Sequence, residues 1–558
     1  RLAGSASLAL SALALSARAA PAADSVPELP GYGTPPAPQW SGYLNASAVE
    51  PGTMLHYWFA MGEQEGALER LPLVLWLNGG PGSSSILGML MEMGPLLINS
   101  TGGLMRNPYA WTKQANVLVL ESPGGVGFSY CAAMQANGSC SNTDDSTARA
   151  ARAALQDFFA TKFPELRELP FFITGESYAG VYIPTLAAEI LAHAPEIKLT
   201  GIAAGDPCTD VDEQKDSMNM LWYAHKNGLV PDGDFEFLWH NCSYGSTALN
   251  PKFHTWGLWK REEGGWAAPP SAARAPPPPP IEEQCKISYR RFLATTSNGI
   301  SQEWPHSYIN ELSFYSDAAA LDWSLPGTFN GNTAAYMNRA DVQKALHVQS
   351  APARAWPGPA PGWSYTSSYR ACNAQHVAPG TPSMIDFYRH IAPLMRTTIV
   401  FNGDTDPCVS YEGTRRAIEK VGFPVAEGGE YRPWFYHKAA ADLQTVKEKD
   451  SLVFPDLDLR DAGAQYGGHV VSYGHNLSFV TVHGAGHMVP QYRPQAAARL
   501  LGALLSGAPL SPLLPTAAEL AALEEEKFNQ RVDNWTQQAK DAAMSSDRAD
   551  AGVGFVVV

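Results

Sequence analysis

A serine in a sharp turn is the first feature of this sequence that could do chemistry. Residues 171–180 read FFITGESYAG, so Ser177 follows a short apolar run and lies between Glu176 and Tyr178. The helix-forming stretch YIPTLAAEILAHA comes next. A strand that ends at a serine and leads into a helix holds the hydroxyl out at the end of a sheet, as in a nucleophile elbow. Serine attack needs this positioning and a base, because a free serine hydroxyl is a poor nucleophile.

Two later segments could supply the base and its partner acid. IVFNGDTDP places Asp404 and Asp406 just after a predicted strand, and FVTVHGAGHMVP places His483 and His487 after the next one. The order Ser, Asp, His along the chain is that of the α/β-hydrolases. In such a triad His487 would accept the serine proton and return it to the leaving group, while an aspartate fixes the imidazole tautomer.

Each piece also has a structural interpretation. An aspartate in a Gly-Asp turn usually serves the turn. His483 and His487 have the spacing of a metal-binding pair, but Gly484 and Gly486 argue against the helix that would bring both rings to one face. The three pieces together, in this order and context, favour the triad, and no metal or organic cofactor is implied.

Apolar runs that end in glycine-rich turns define the elements that must position these side chains. The runs are continuous rather than alternating, as in strands buried on both faces of a parallel sheet. Helical stretches such as DDSTARAARAALQDFFATKF lie between the early ones. The pattern predicts an α/β fold of the α/β-hydrolase type, with a central mostly parallel sheet, helices on both faces and an inserted cap region. The runs are LPLVLWLNGG, NVLVLESPGG, LPFFITGES, IKLTGIAAGD, TTIVFNGD and LSFVTVHGAGH.

The amino-acid composition changes along the chain, and these changes suggest where its regions begin and end. Residues 206–390 are rich in Trp, Tyr, Asn, Ser and Pro, and they include GGWAAPPSAARAPPPPP at 264–280, a low-complexity loop. The predicted organisation is a signal peptide with a truncated start at 1–24, a first core part at 25–205, a cap at 206–390, a second core part at 391–510 and a helical tail at 511–558.

The composition, the net charge and the N-terminal segment together suggest an exported protein. The 558 residues are 45% hydrophobic, and the net charge of -15 argues against nucleic acid as a partner. No apolar run approaches the length that spans a bilayer. Residues 1–24 resemble a signal peptide, with an Ala-rich leader as the alternative. We therefore expect the secretory pathway, with an extracellular, vacuolar or lysosomal destination open.

Sequons and cysteines agree with that expectation. Seven cysteines without a CxxC pair fit scattered disulfides better than a zinc site, and Cys131 and Cys140 are close enough to close a small loop. Six N-x-S/T sequons predict glycosylation at Asn45, Asn99, Asn137, Asn241, Asn476 and Asn534.

Several long motifs occur in a fixed order along the chain: WLNGGPGSSS (76–85), NPYAWTKQANVLVLESPGGVGFSY (107–130), ITGESYAGVYIP, YMNRADVQKALHV (336–348), NGDTDP and HGAGHMVP. Together they resemble the motifs of the serine carboxypeptidases. The resemblance runs from about residue 31 to residue 507, with gaps at the Pro-rich insertions.

This resemblance implies roles for particular residues. The triad would be Ser177, His487 and Asp406 rather than Asp404. The remaining implied residues are the backbone amides of Gly80 and Tyr178 as the oxyanion hole, Asn78, the Gly79 amide, Glu176 and Glu92 as the site for the terminal carboxylate, and Met488 in the substrate pocket. Otherwise, Glu176 and Glu92 would be read as acids at helix N-termini and Asn78 as a turn residue.

The implied carboxylate site has a physical rationale. None of its members is Arg or Lys, so a glutamate can bind a carboxylate only as a proton donor. Two ionised carboxylates about 3 Å apart would repel by roughly 5 kcal/mol at an effective dielectric near 20, so one proton is shared. The sequence therefore predicts peptide hydrolysis that works best in acid and weakens as Glu176 ionises, provided that His487 is still neutral.

The cysteines depart from the family pattern. The usual cysteine of the GPGCSS motif is Ser83 here, so one common disulfide cannot form. Its usual partner corresponds to Cys372, for which the hypothesis is a bond to Cys408. The remaining cysteines, Cys208, Cys242 and Cys285, cannot be paired from sequence.

Three functions remain candidates. The first is a serine carboxypeptidase that acts on the C-termini of peptides and proteins at acid pH. The second is an acyltransferase on the same scaffold, although relatives of that kind tend to carry aspartate where this chain has Glu176. The third is a non-catalytic stabilising partner, which an intact triad argues against. The oligomeric state is open, with a homodimer among the candidate assemblies.

Overall fold

The computed structural model describes residues 20–99, 101–242, 279–296, 329–352, 355–359, 361–372, 374, 376–438 and 462–549. Most of the predicted signal peptide (1–19) and most of the predicted low-complexity loop (264–278) lie outside the described residues. Both stay predictions.

Fourteen strands are present in the described ranges, and ten of them form one sheet. They are β1 Gln39–Asn45, β2 Met54–Ala60, β3 Leu73–Leu77, β4 Leu96–Ile98, β5 Leu104–Arg106, β6 Asn116–Leu120, β7 Ser141–Thr143, β8 Phe171–Glu176, β9 Leu199–Gly205, β10 Ser364–Thr366, β11 Thr397–Gly403, β12 Arg432–Lys438, β13 Gly463–Ser472 and β14 Leu477–Val482.

The large sheet is parallel in its centre and antiparallel at both edges. Its strand order is β1-β2-β6-β3-β8-β9-β11-β14-β13-β12. The pairs from β6 to β14 are parallel, whereas β1, β2, β13 and β12 pair antiparallel. All the apolar runs singled out in the sequence form the parallel centre. The α/β-hydrolase type of sheet is thus confirmed.

Helices alternate with the strands. They are α1 Ala67–Arg70, α2 Ala132–Gln135, α3 Asp144–Asp157, α4 Ala179–His193, α5 Val211–Gln214, α6 Met220–Lys226, α7 Asp232–Glu236, α8 Pro279–Thr296, α9 Phe329–Met337, α10 Ala340–Ala345, α11 Met384–Ile391, α12 Tyr411–Glu419, α13 Val489–Tyr492, α14 Pro494–Ser506, α15 Ala517–Ala522 and α16 Glu525–Ala549. Five-residue π-helical turns occur at Gly88–Glu92, Phe158–Lys162 and Phe237–Asn241.

Alternate residues of the central strands enter two different cores. In β3, Leu73 and Leu75 pack into the core that contains α3, α4 and α11, while Val74 and Trp76 pack into the core that contains α14. Both faces of the sheet are therefore covered by helices. This explains why the central strands read as continuous apolar runs.

The region between β9 and β11 carries its own small core. Leu221, Tyr223 and Phe235 cluster with Phe292 of α8. Helix α11, at the end of this region, packs on α4 through Tyr388 and Ile391 in a main core instead. The division into cap and core at residues 206 and 390 stays a prediction.

The disulfides correct one expectation. Cys131 pairs with Cys140, and Cys242 pairs with Cys285. Cys372 is bonded to Cys208, with 4.7 Å between their Cα atoms, so the hypothesis of a Cys372–Cys408 bond is wrong. The physical reason is a tertiary contact: the loop after β9, which carries Cys208, lies against the segment that carries Cys372. The Val211 N–H in that loop donates to the Arg370 carbonyl.

Two surface expectations can be set beside the structure. Asn99 is partly buried, and the other five sequon asparagines are exposed. Glycosylation stays a prediction. Among the described residues, no helix has the length and apolar character needed to cross a membrane.

Candidate active site

The carboxyl ends of four neighbouring strands bring the candidate residues to one edge of the sheet. Ser177 follows β8, Asp206 follows β9, Asp406 follows β11 and His487 lies in the loop after β14. In an open α/β sheet this edge is where loops form binding sites. All four side chains are buried.

Ser177 occupies a strained turn between β8 and α4. Its φ of 64° lies in the left-handed region, where a residue other than glycine is uncommon. The turn is held by the Ser177 N–H, which donates to the Gly205 carbonyl at 2.9 Å, and by the Cys208 N–H, which donates to the Ser177 carbonyl at 3.0 Å. Such strain is typical of functional positions, and the geometry matches the nucleophile elbow that the sequence predicts.

Asp406 and His487 form a buried pair. His487 Nδ1 lies 2.8 Å from Asp406 Oδ2, and the side chains are 2% and 0% exposed. Backbone N–H groups of Cys408 and Val409 donate to the same carboxylate at 2.8 and 3.1 Å. Because these donors fix the carboxylate, the imidazole is oriented with Nδ1 toward Asp406.

A second aspartate–histidine pair lies nearby but is exposed. Asp404 Oδ2 is 2.7 Å from His483 Nδ1, and these side chains are 26% and 45% exposed. Each histidine therefore contacts a different aspartate. The spacing of the two histidines thus reflects two separate pairs.

A glycine loop after β3 lies against the turn that holds Ser177. A Cβ atom at Gly79 would lie 2.2 Å from the backbone nitrogen of Tyr178 and 2.8 Å from the Cβ of Ser177. Gly80 adopts a φ of 110°. Only glycine allows this close approach, which brings the Gly80 loop beside the Tyr178 amide.

Asn78 connects two buried glutamates. Its Oδ1 accepts hydrogen bonds from Trp76 Nε1 at 2.8 Å and from the Gly88 N–H at 3.1 Å. These donors turn its Nδ2 toward Glu176 Oε1 at 2.9 Å and Glu92 Oε1 at 3.2 Å. The side-chain amide thus donates one hydrogen bond to each carboxyl group.

The two glutamates favour protonation. Burial, and then the charge and hydrogen bond of Glu92, raise the pKa of Glu176 well above its usual range. Burial raises the pKa of Glu92 to about 7, although hydrogen bonds from Asn78 and Glu176 oppose that shift. Oε2 of each glutamate receives no donor from another described side chain, so a proton shared between the carboxyl groups satisfies both.

Sequence reasoning missed Asp206. It lies beside Asp406, and one ligand atom each of Asp206, Asp406 and His487 lie within 4.8 Å of one another. Its signal in the sequence was the Gly-Asp turn that ends the run IKLTGIAAGD.

Met488, the predicted pocket residue, is buried directly after His487, at the start of α13.

Comparisons with known proteins agree with this fold. A family model described as serine carboxypeptidase matches residues 30–507. The chain belongs to the serine carboxypeptidase family.

Particular relatives come from several kingdoms. Serine carboxypeptidase-like 31 of Arabidopsis thaliana is 29% identical over 519 residues, covering 88% of this chain and 90% of that protein. Lysosomal protective protein of Mus musculus is 29% identical over 527 residues, covering 88% and 95%. The solved structure of a prohormone-processing carboxypeptidase from Saccharomyces cerevisiae aligns with a TM-score of 0.59 at 21% identity, covering 84% of this chain and 91% of that one. This last likeness shows the shared fold.

Proposed function

We propose that this chain is a serine-type carboxypeptidase that hydrolyses the C-terminal residue of peptides and proteins at acid pH. Ser177 is the nucleophile, His487 the general base and Asp406 the acid that orients it. The observation that carries the proposal is the buried pair Glu92–Glu176, since Glu176 immediately precedes the nucleophile.

The glutamate pair suits a substrate that ends in a carboxylate. A protonated glutamate donates a charge-assisted hydrogen bond to a carboxylate, whereas an ionised one would repel it. The side-chain amide of Asn78 and the backbone amide of Gly79 would add donors. A peptide held there by its end would present its last peptide bond to Ser177.

Acylation follows from the arrangement of the triad. Ser177 Oγ attacks the carbonyl carbon while His487 Nε2 accepts the hydroxyl proton. The carbonyl oxygen becomes an oxyanion that the backbone amides of Gly80 and Tyr178 would stabilise. The C–N bond then breaks, His487 returns the proton to the amine, and the terminal residue leaves.

Deacylation reverses the roles with water. His487 accepts a proton from a water molecule whose oxygen attacks the Ser177 ester. The second oxyanion occupies the same hole, and the proton passes to Ser177 Oγ as the shortened peptide leaves. Both half-reactions require a neutral imidazole, and binding of the substrate's terminal carboxylate requires a proton on the glutamate pair, which together favour mildly acid conditions.

One assay tests the proposal. Wild type and Ser177→Ala are incubated at acid pH with an N-blocked dipeptide, with its C-terminal amide, and with an activated ester plus an alcohol acceptor. We expect wild type to cleave the free acid far faster than the amide, and Ser177→Ala to be inactive. Turnover only of the ester with transfer to the alcohol would instead favour an acyltransferase, and no turnover a stabilising partner.

We also propose entry into the secretory pathway with delivery to a lysosome, to a vacuole or outside the cell. Support comes from three disulfides in the described ranges, which persist in oxidising compartments. The mouse relative named lysosomal protective protein agrees with such a destination.

A further inference from the structure

Asp206 is a buried carboxyl group that the proposed mechanism does not use. It follows β9, the strand between those that lead to Ser177 and Asp406, and it is 0% exposed. Its φ of 42° lies in the left-handed region. A non-glycine residue keeps such a backbone conformation only where the surrounding structure holds it.

The two oxygens of Asp206 have different surroundings. Oδ1 accepts hydrogen bonds from Asn402 Nδ2 at 3.2 Å and from the Gly403 N–H at 2.9 Å. Oδ2 is equally buried, and no side-chain or backbone donor among the described residues reaches it. A buried carboxylate oxygen without a donor is costly, whereas a protonated one can itself donate.

The neighbour that can accept from Asp206 is Asp406. One carboxylate oxygen of Asp206 lies within 4.8 Å of a carboxylate oxygen of Asp406, and a hydrogen bond between two carboxyl groups requires a proton on one of them. Asp406 already accepts from two backbone N–H groups and from His487 Nδ1. Donors thus already reach both oxygens of Asp406, whereas none from the described part of the chain reaches Asp206 Oδ2, so we assign the proton between the two groups to Asp206.

The titratable groups that face Asp206 are Asp406 from the loop after β11, Glu176 at the end of β8 and His487 from the loop after β14. Burial is the main cause that raises the pKa of Asp206 well above its usual range, and the charge of Asp406 is the next. Charge and hydrogen bonding thus lead to the same assignment.

We propose that Asp206 is a positioning residue that stays protonated in the working enzyme and donates a hydrogen bond to the Asp406 carboxylate. The bond holds Asp406 in the orientation in which Oδ2 accepts from His487. The proposal rests on the function proposed above. When Asp206 ionises, repulsion between two buried carboxylates replaces the bond, so kcat falls as the pH rises through the pKa of Asp206.

Two substitutions separate this role from a merely structural one. In Asp206→Asn the amide can still accept at Oδ1 and donate to Asp406, and it cannot ionise. We expect the kcat of this variant at acid pH to stay within about threefold of the wild-type value. The kcat of Asp206→Ala should fall about 10-fold to 100-fold, the range seen when a residue that orients a functional group through a hydrogen bond is removed. Toward higher pH, Asp206→Asn should keep more of its kcat than wild type does.

The split between kinetic constants distinguishes Asp206 from the glutamate pair. Ionisation of Glu176 weakens substrate binding and raises KM, whereas ionisation of Asp206 lowers kcat. If Asp206→Asn loses as much kcat as Asp206→Ala, or if it fails to fold, then the carboxylate itself is needed. Either result would overturn the proposal. An unchanged pH profile of kcat would do the same.

An infrared difference spectrum tests the proton without any turnover. The spectrum of Asp206→Asn is subtracted from that of wild type, with both proteins folded and at neutral pH. The difference should contain the carbonyl stretch of a carboxylic acid. Carboxylate bands there would contradict the proposal. If wild type cleaves no peptide, the proposed function fails on its own, and the spectrum still decides the state of Asp206.

Discussion

Asp406 Oδ2 lies 2.8 Å from His487 Nδ1 in a buried pair, while the neighbouring Asp404 contacts His483 at the surface. This relationship makes the two aspartates a matched test. Asp406→Asn should lower kcat by about 10⁴-fold, because the amide favours the wrong imidazole tautomer. Asp404→Asn should leave kcat within about twofold, since an exposed pair contributes little. Equal effects in steady-state assays of both variants would contradict the proposed triad.

A second prediction concerns substrate binding and pH. Glu176 is protonated below its raised pKa, so KM for a free-acid peptide should be low in acid and should rise as the pH passes through that pKa. In Glu176→Gln the rise should disappear, because the amide donates at every pH. The measurement is KM against pH, with the C-terminal amide of the same peptide as the control substrate. An unaltered profile in the variant would remove Glu176 from the carboxylate site.

Folding stability should also depend on the glutamate pair. Glu92 has its pKa raised from 4.5 to about 7, so the folded chain holds this proton more tightly than the unfolded chain does. Its stabilising contribution is fully present below pH 4.5 and is lost as the pH rises through 7, in total about 3 kcal/mol. Urea unfolding at several pH values should show this loss in wild type and a flatter dependence in Glu92→Gln. The exposed Glu28→Gln is the control, and an identical flattening there would refute the assignment.

The close approach of Gly79 to the turn at Ser177 gives a fourth prediction. A methyl group at position 79 would meet the Tyr178 nitrogen at 2.2 Å, so Gly79→Ala must push the glycine loop away from the proposed oxyanion hole. We expect kcat to fall about 10²-fold to 10³-fold, the usual loss for one oxyanion donor. Gly233→Ala is the matched control, because a Cβ there meets nothing within 4 Å. Normal turnover by Gly79→Ala would mean that the loop does not contribute to the hole.

The fifth prediction concerns the disulfide between Cys208 and Cys372, which are 164 residues apart. Peptide mapping under non-reducing conditions should recover these two cysteines in one linked peptide. Removing the bond with Cys208→Ala should lower the free energy of unfolding by up to about 5 kcal/mol, as expected for a long closed loop. Cys408→Ala should leave the map unchanged. A peptide that links Cys372 to Cys408 would overturn the pairing.

Much of the fold could be read from local patterns. The central strands were predictable because both of their faces are buried, which makes nearly every residue apolar. The antiparallel edge strands were missed. In β12 buried and half-buried residues alternate, so its sequence RPWFYHK lacks a continuous apolar run. Such a strand is recognised only when its partner β13 is known.

Within the site, the sequence by itself determined which residue types are present and which strands they follow. Ser177, Asp406 and His487 each lie in a short motif whose meaning is local. The tertiary structure decided the contacts between motifs: Cys208 rather than Cys408 beside Cys372, and Asp206 beside Asp406. The physical reason is that neighbours in the sheet and in its loops are distant in sequence: β9 pairs with β11, which brings Asp206 beside Asp406, and the loop after β9 lies against the segment that carries Cys372.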